Sequence, residues 1–270
     1  MLALFAAASL LAADPTCAPP PGAEALWTPE ARYVIVGEIH GTTETPAAFA
    51  QLVCAAAEQG PVTVALELPT EMQPQLDAFL IATDDASAAA TLHETSFWVR
   101  DPERQDGRSS MAMLEMMQSI RRLKAGGGDV AFRAFQPSNP RSPAFDQNYY
   151  ELDMAVELSR AATERPDARV LVLVGNVHAS KTLIDRFDLL PAAAHLPGKE
   201  TLTLNVAQQG GQSWSCQADG CGAHDSMERY DLEARGVILG PVRDGAYDGV
   251  LAIGPWTASL PVAGSTSAAP

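Results

Sequence analysis

Basic side chains are scarce in this chain: 18 lysines and arginines stand against 33 aspartates and glutamates, a formal net charge of −15 over 270 residues. That balance repels phosphate backbones and anionic headgroups, so nucleic acid is excluded as an expected partner. No uninterrupted apolar run reaches the roughly 20 residues that a membrane span requires. Internal repeats are absent apart from two tetrapeptides of the form Gly-x-x-His, and with only five histidines in the chain that pairing is informative.

The tetrapeptides are Gly37-Glu38-Ile39-His40 and Gly175-Asn176-Val177-His178, and each directly follows a β-branched apolar run, Tyr33-Val34-Ile35-Val36 and Val170-Leu171-Val172-Leu173-Val174. Such runs are too short for helices and suit buried parallel strands. A third run, Val62-Thr63-Val64-Ala65-Leu66, ends in Glu67. Further strands are expected over Asp129–Phe135, Thr201–Val206 and Gly249–Ile253. Helices are expected over Pro46–Gln59, Tyr149–Thr163 and Lys181–Phe187. Strands alternating with helices predict an α/β fold with a largely parallel or mixed central sheet flanked by helices.

The length suits one domain, expected over 14–263, with a helical excursion about 71–128 that would cover the sheet. Within the excursion, Met111, Met113, Met116 and Met117 belong to a methionine-heavy helix, where ordinary packing is favoured over a pocket wall. His93 and Trp98 carry no functional expectation. Leu2 to Ala13 is Ala/Leu-rich and precedes Asp14-Pro15, so residues 1–13 read as a signal peptide, although no basic residue precedes the apolar run. Export to a periplasmic or secreted location follows. Cys17 lacks the small-residue run expected before a lipid-modified cysteine, and no lipid anchor is expected. The small-residue stretch 264–270 is expected to be a disordered tail.

Cysteines number four. Cys216 and Cys221 would close a short loop through a turn at Asp219-Gly220, which suits an oxidising compartment. The rival is a metal knuckle that adds His224, disfavoured because three ligands at irregular spacing make a poor zinc site. Cys54 either packs in a helix core or pairs with Cys17.

In an open parallel sheet, ligands bind outside the carboxyl ends of the strands. Glu38, His40, Glu67 and His178 are therefore expected to converge, with Glu44 and Arg133 as secondary candidates. A carboxylate beside an imidazole serves general-base catalysis or metal binding equally well. The plainer explanation is that polar groups end strands because strand ends face water. Two Gly-x-x-His ends and a third strand ending in Glu favour a shared site over it. For Glu44 and Arg133, exposure or a structural ion pair is the favoured reading.

The segments Val36-Gly37-Glu38-Ile39-His40-Gly41, Ala65-Leu66-Glu67-Leu68, Asp153-Met154-Ala155 and Val174-Gly175-Asn176-Val177-His178 also resemble the superfamily that joins erythromycin esterases, ChaN-like haem-binding proteins and Tiki/TraB proteins. Their spacing is more similar to the ChaN-like branch than to the esterases. What the resemblance implies is an α/β fold with Glu38, His40, Glu67 and His178 at its centre. It does not choose among the superfamily's activities: a water-activating hydrolase, a divalent-metal protease or a haem binder. One residue separates Glu38 from His40 where the esterases have two, so the esterase substrate class does not transfer.

Two expectations result. The first is a hydrolase of small-molecule or peptide substrates, with His40 as base, Glu38 orienting it, His178 acting on the leaving group and Glu67 completing the polar wall. In one variant these four residues hold a divalent metal, manganese, cobalt, zinc or iron. The second is a non-catalytic haem or iron binder of the cell envelope, with one of these histidines as axial ligand and the methionine-rich helix against the macrocycle; the ChaN-like resemblance adds Tyr149 and Tyr150 as ligand candidates by position only.

Overall fold

The computed structural model describes residues 17–137 and 145–263; the expected signal segment 1–13 and the tail 264–270 lie outside them. Along the chain run β1 (Tyr33–Glu38), α1 (Glu44–Ala57), β2 (Val62–Pro69), α2 (Gln73–Ile81), α3 (Asp85–His93), α4 (Met111–Ala125), β3 (Val130–Gln136), α5 (Gln147–Glu164), β4 (Arg169–Gly175), β5 (Thr201–Val206), β6 (Gln212–Gln217), β7 (Gly220–Asp225), β8 (Gly236–Val242) and β9 (Tyr247–Ala252).

Seven strands form one sheet in the order β3-β2-β4-β1-β5-β9-β8. All neighbours pair in parallel except β8, which runs antiparallel to β9. The α/β class is as expected. Because successive strand residues face opposite sides, β1 feeds two cores at once. Val34 and Val36 join a cluster with Phe49, Leu52 and Val53 of α1 and Met113, Met116, Met117 and Ile120 of α4. Tyr33 and Ile35 join a second cluster with Met154, Ala155 and Leu158 of α5. Helices α1 to α4 thus cover one face and α5 the other, and the methionines are packing residues.

The chain leaves β1 toward the β2 side and later returns to place β5 on its other flank. Strand order reverses around β1 and β4, and a crevice opens there at the strands' carboxyl ends. Gly37 permits this: a Cβ on it would lie 2.7 Å from the Ala179 side chain that follows β4. Among the described residues no helix is long and apolar enough to cross a membrane.

One expectation needs correction, and the cysteine alternatives are decided. Lys181–Phe187 is not an α-helix; only a 3-10 turn forms at Asp185–Phe187, because Ile184 bridges Leu189 and Asp188 turns back in the left-handed region at φ 48°. The knuckle through His224 does not form, since Cys216 and Cys221 are bonded to each other across β6 and β7, and His224 Nε2 lies 3.2 Å from the Gly220 carbonyl. Cys54 is bonded to Cys17. The sequence carries no strand signal for β6, β7 and β8: β6 and β7 are polar, and β8 carries Gly240 and Pro241, tolerable because it is an edge strand.

Candidate active site

The crevice collects Glu38 and His40 from the end of β1, Glu67 from β2 and His178 from the turn after β4. His40 Nδ1 lies 3.0 Å from Glu38 Oε1, and its Nε2 lies 3.4 Å from Glu67 Oε2. His178 Nδ1 lies 2.8 Å from both oxygens of Glu151 on α5, while its Nε2 is 3.9 Å from Glu67 Oε1, too far for a hydrogen bond. Two imidazoles are thus each held at Nδ1 by a buried carboxylate, and both turn Nε2 toward Glu67.

Local backbone enforces this arrangement. Gly41, at φ 81°, takes the chain out of the site in a conformation that L side chains resist. Its carbonyl accepts from the amides of Trp214 and Ser259, and Gly107 packs so closely that a Cβ on it would stand 2.3 Å from the Gly41 Cα. The hairpin of β6 and β7 is therefore tied to the His40 loop. Gly175 leaves the floor of the site open: a Cβ there would come within 3.2 Å of His40 Nε2 and 3.5 Å of Glu67 Oε2. The Gly175 amide donates to Glu67 Oε2 at 2.8 Å.

Arg108 reaches in from the loop before α4, donating to Glu67 Oε1 at 2.8 Å and to Gln136 Oε1 at 3.0 Å, with Asp106 at 2.6 Å behind it. Arg133, the arginine singled out from the sequence, lies elsewhere. It sits mid-strand in β3 and pairs with Glu157 and Glu164 of α5 at 2.7 and 2.9 Å. Glu44 also points away, accepting from the Thr257 amide at 2.8 Å. Tyr149 is 69% exposed.

Arg108 lies in the polar loop before α4, and nothing in its local pattern singles it out. Glu151 did leave a signal. It shares a helical face with Met154, Ala155, Leu158 and Ala162, all buried, and an acid on the core stripe must find a partner. Asp146 starts that helix by accepting from the amides of Asn148 and Tyr149, which sets the phase that turns Glu151 inward. Glu151 also accepts from the Ala192 amide and from Gln147.

Burial dominates the electrostatics and is opposed unevenly. It works against charging His40, but the Glu67 charge and the hydrogen bonds to Glu38 and Glu67 outweigh it and raise the imidazole to about 10. Burial also pushes against the Glu67 charge, yet His40 and Arg108 hold that carboxyl far below the usual carboxylate range. Glu38 moves the other way, raised because burial exceeds the help from His40; its Oε2 is buried without a hydrogen-bond partner among the described residues. His178 is raised against burial by Glu151 and Glu67. Tyr150 is raised by burial, then by Glu67, to about 12.

Several solved structures share this fold. A Bacillus cereus protein superposes with a TM-score of 0.62 at 13% identity, covering 86% of this chain and 90% of its own. A histidine-to-asparagine variant of erythromycin esterase EreC, in its open conformation, gives 0.52 at 12% identity over 84% and 91%. A succinoglycan biosynthesis protein gives 0.52 at 11% identity over 86% and 90%. Such identities establish the fold alone. The esterase among them agrees, at that level, with the resemblance carried by the strand-end motifs. No protein-family model matches the sequence, and no curated protein matches it.

Proposed function

We propose that the protein is a hydrolase of exported context that cuts an acyl bond in a small-molecule or peptide substrate. One observation carries this: two imidazoles, each fastened through Nδ1 to its own buried carboxylate, present Nε2 to one crevice lined by Glu67 and Arg108. A neutral His40 would take a proton from water as the water oxygen bonds to the acyl carbon, and Glu38 fixes the ring for that transfer. Arg108 would stabilise negative charge developing on the acyl oxygen. His178, whose protonated form Glu151 favours, would return a proton to the departing atom as the acyl bond breaks. Since His40 is raised to about 10, it must lose a proton before accepting one, and turnover should increase toward alkaline pH.

The centre suits a resident divalent ion poorly. Both Glu67 oxygens are engaged, by the Arg108 guanidinium and the Gly175 amide. Among the described residues no three His, Cys, Asp or Glu side chains are arranged to hold a metal. No step is therefore routed through a metal. Haem is a weaker reading, because the buried methionines of α4 pack into the core and Tyr150 resists ionisation; a flat Soret region on adding hemin would dispose of it. The two disulfides support export, as such bonds persist in oxidising compartments.

The experiment is hydrolysis of a panel of methyl and p-nitrophenyl esters at pH 9 by purified protein, with His40→Ala and His178→Ala in parallel. Each variant is expected to lose turnover with an unaltered circular-dichroism spectrum. Wild-type rates in either variant would refute the proposal.

A further inference from the structure

Between β4 and β5 the chain crosses the α5 face of the sheet without an α-helix, and together with the β8–β9 turn and the segments after β5 and β7 it bounds a cleft of about 690 Å³. That volume suits a small ligand. The cleft begins at Asn176 and Val177, the two residues between Gly175 and His178, so it adjoins the candidate active site.

Its lining is anomalous for this chain. Three arginines, Arg186, Arg229 and Arg243, face the cleft, and no aspartate or glutamate lines it, although acids outnumber bases 33 to 18 overall. Among the described residues none of the three pairs with a carboxylate, as Arg108, Arg121, Arg122, Arg133, Arg160 and Arg165 do, and none is spent on backbone carbonyls, as Arg32, Arg169 and Arg235 are. All three are exposed, and each lies against one neighbour. Arg186 stacks 4.3 Å over the Phe187 ring, Arg243 lies 5.9 Å over Tyr247, and Arg229 donates to Met227 Sδ. The walls are also tied together: the Tyr247 hydroxyl donates to the Asn176 carbonyl at 2.7 Å, and the Arg229 amide to the Gln208 carbonyl at 2.8 Å. Arg243 and Asp244 occupy the left-handed region, at φ 50° and 56°, which is a strained setting for arginine.

Guanidinium groups without carboxylate partners recognise planar or tetrahedral oxyanions through paired hydrogen bonds. We propose that this cleft is a subsite for an anionic group, carboxylate or phosphate, and that the substrate cut at the adjoining centre carries one. The second clause rests on the hydrolase reading; the anion site does not.

The test is isothermal titration calorimetry of the full chain at pH 7 and low salt with phenyl phosphate and, separately, benzoate, repeated on Arg243→Ser and on the Arg186→Ser, Arg229→Ser double variant. Saturable one-site binding of either probe is expected, weakened about tenfold or more in each variant and by added salt. The probe that binds more tightly identifies the anion class. Absence of saturable heat with both probes, or affinities unchanged in both variants, overturns the site. Hydrolysis of methyl butyrate and methyl hydrogen glutarate is measured in parallel. Anion binding without hydrolysis of either ester keeps the cleft and removes the hydrolase; hydrolysis without anion binding does the reverse.

Discussion

Replacing Glu67 with glutamine tests the electrostatic core of the mechanism, because it removes a charge while keeping the side chain's shape. Glu67 Oε2 sits 3.4 Å from His40 Nε2, and its charge is the largest influence raising the imidazole. A carboxylate at that range shifts a neighbour by about 1–3 pKa units, or about 1.4–4 kcal/mol of preference for the protonated ring. With His40 at about 10, roughly one imidazole in a thousand is neutral at pH 7. A fall of about 2 units makes that roughly one in ten. The assay is a pH-stat profile of kcat/KM for methyl butyrate from pH 6 to 10.5, corrected for hydroxide hydrolysis. Wild type should climb with unit slope toward pH 10, and Glu67→Gln should level off about 1–3 units earlier, whatever its plateau height. A wild-type profile flat from pH 6 to 9, or a variant whose inflection does not move, would refute the assignment of His40 as base under Glu67's control.

The same protons act on folding. His40 is raised from 6.5 to about 10 in the folded chain, so its contribution to stability is complete below about 6.5 and disappears as pH rises through about 10; melting temperatures across that window should fall, and a constant value would contradict the linkage. Gly175→Ala places a methyl 3.2 Å from His40 Nε2. It should cut kcat/KM about 100-fold with melting within a few degrees of wild type, and normal turnover would mean the crevice is not where chemistry occurs. Gly41→Ala combines φ 81° with a Cβ 2.1 Å from the Trp214 carbonyl oxygen, and chemical denaturation should show a loss of about 1–3 kcal/mol or more. Cutting the Cys17–Cys54 bond, which spans 37 residues, should cost about 4 kcal/mol by loop-closure entropy, against about 2 kcal/mol for Cys216–Cys221 with its separation of five; the reverse ranking in Cys-to-Ser variants would show that native strain, not loop length, governs.

What the sequence discloses about this molecule follows from where its information is local. Strands β1, β2 and β4 are legible because burial on both faces demands an unbroken apolar run, and the residues ending those runs are brought together by the geometry of parallel sheets. That is why Glu38, His40, Glu67 and His178 could be gathered from three separate segments. Glu151 needed one further step, the recognition that an acid on an apolar helical stripe is a buried acid. Arg108 had no such route. It enters from an irregular loop set by the contact of Gly107 with Gly41 and by the hairpin of β6 and β7, whose polar residues give no alternation to read. Arg133 is decided by contacts of the same kind: it lies mid-strand, and its partners 24 and 31 residues away on α5 make it the structural ion pair favoured for it. The apolar framework is therefore written residue by residue, whereas the cations that tune the site are placed by contacts distant in sequence, and the arginines of the adjoining cleft, drawn from three separate turns, belong to that second kind.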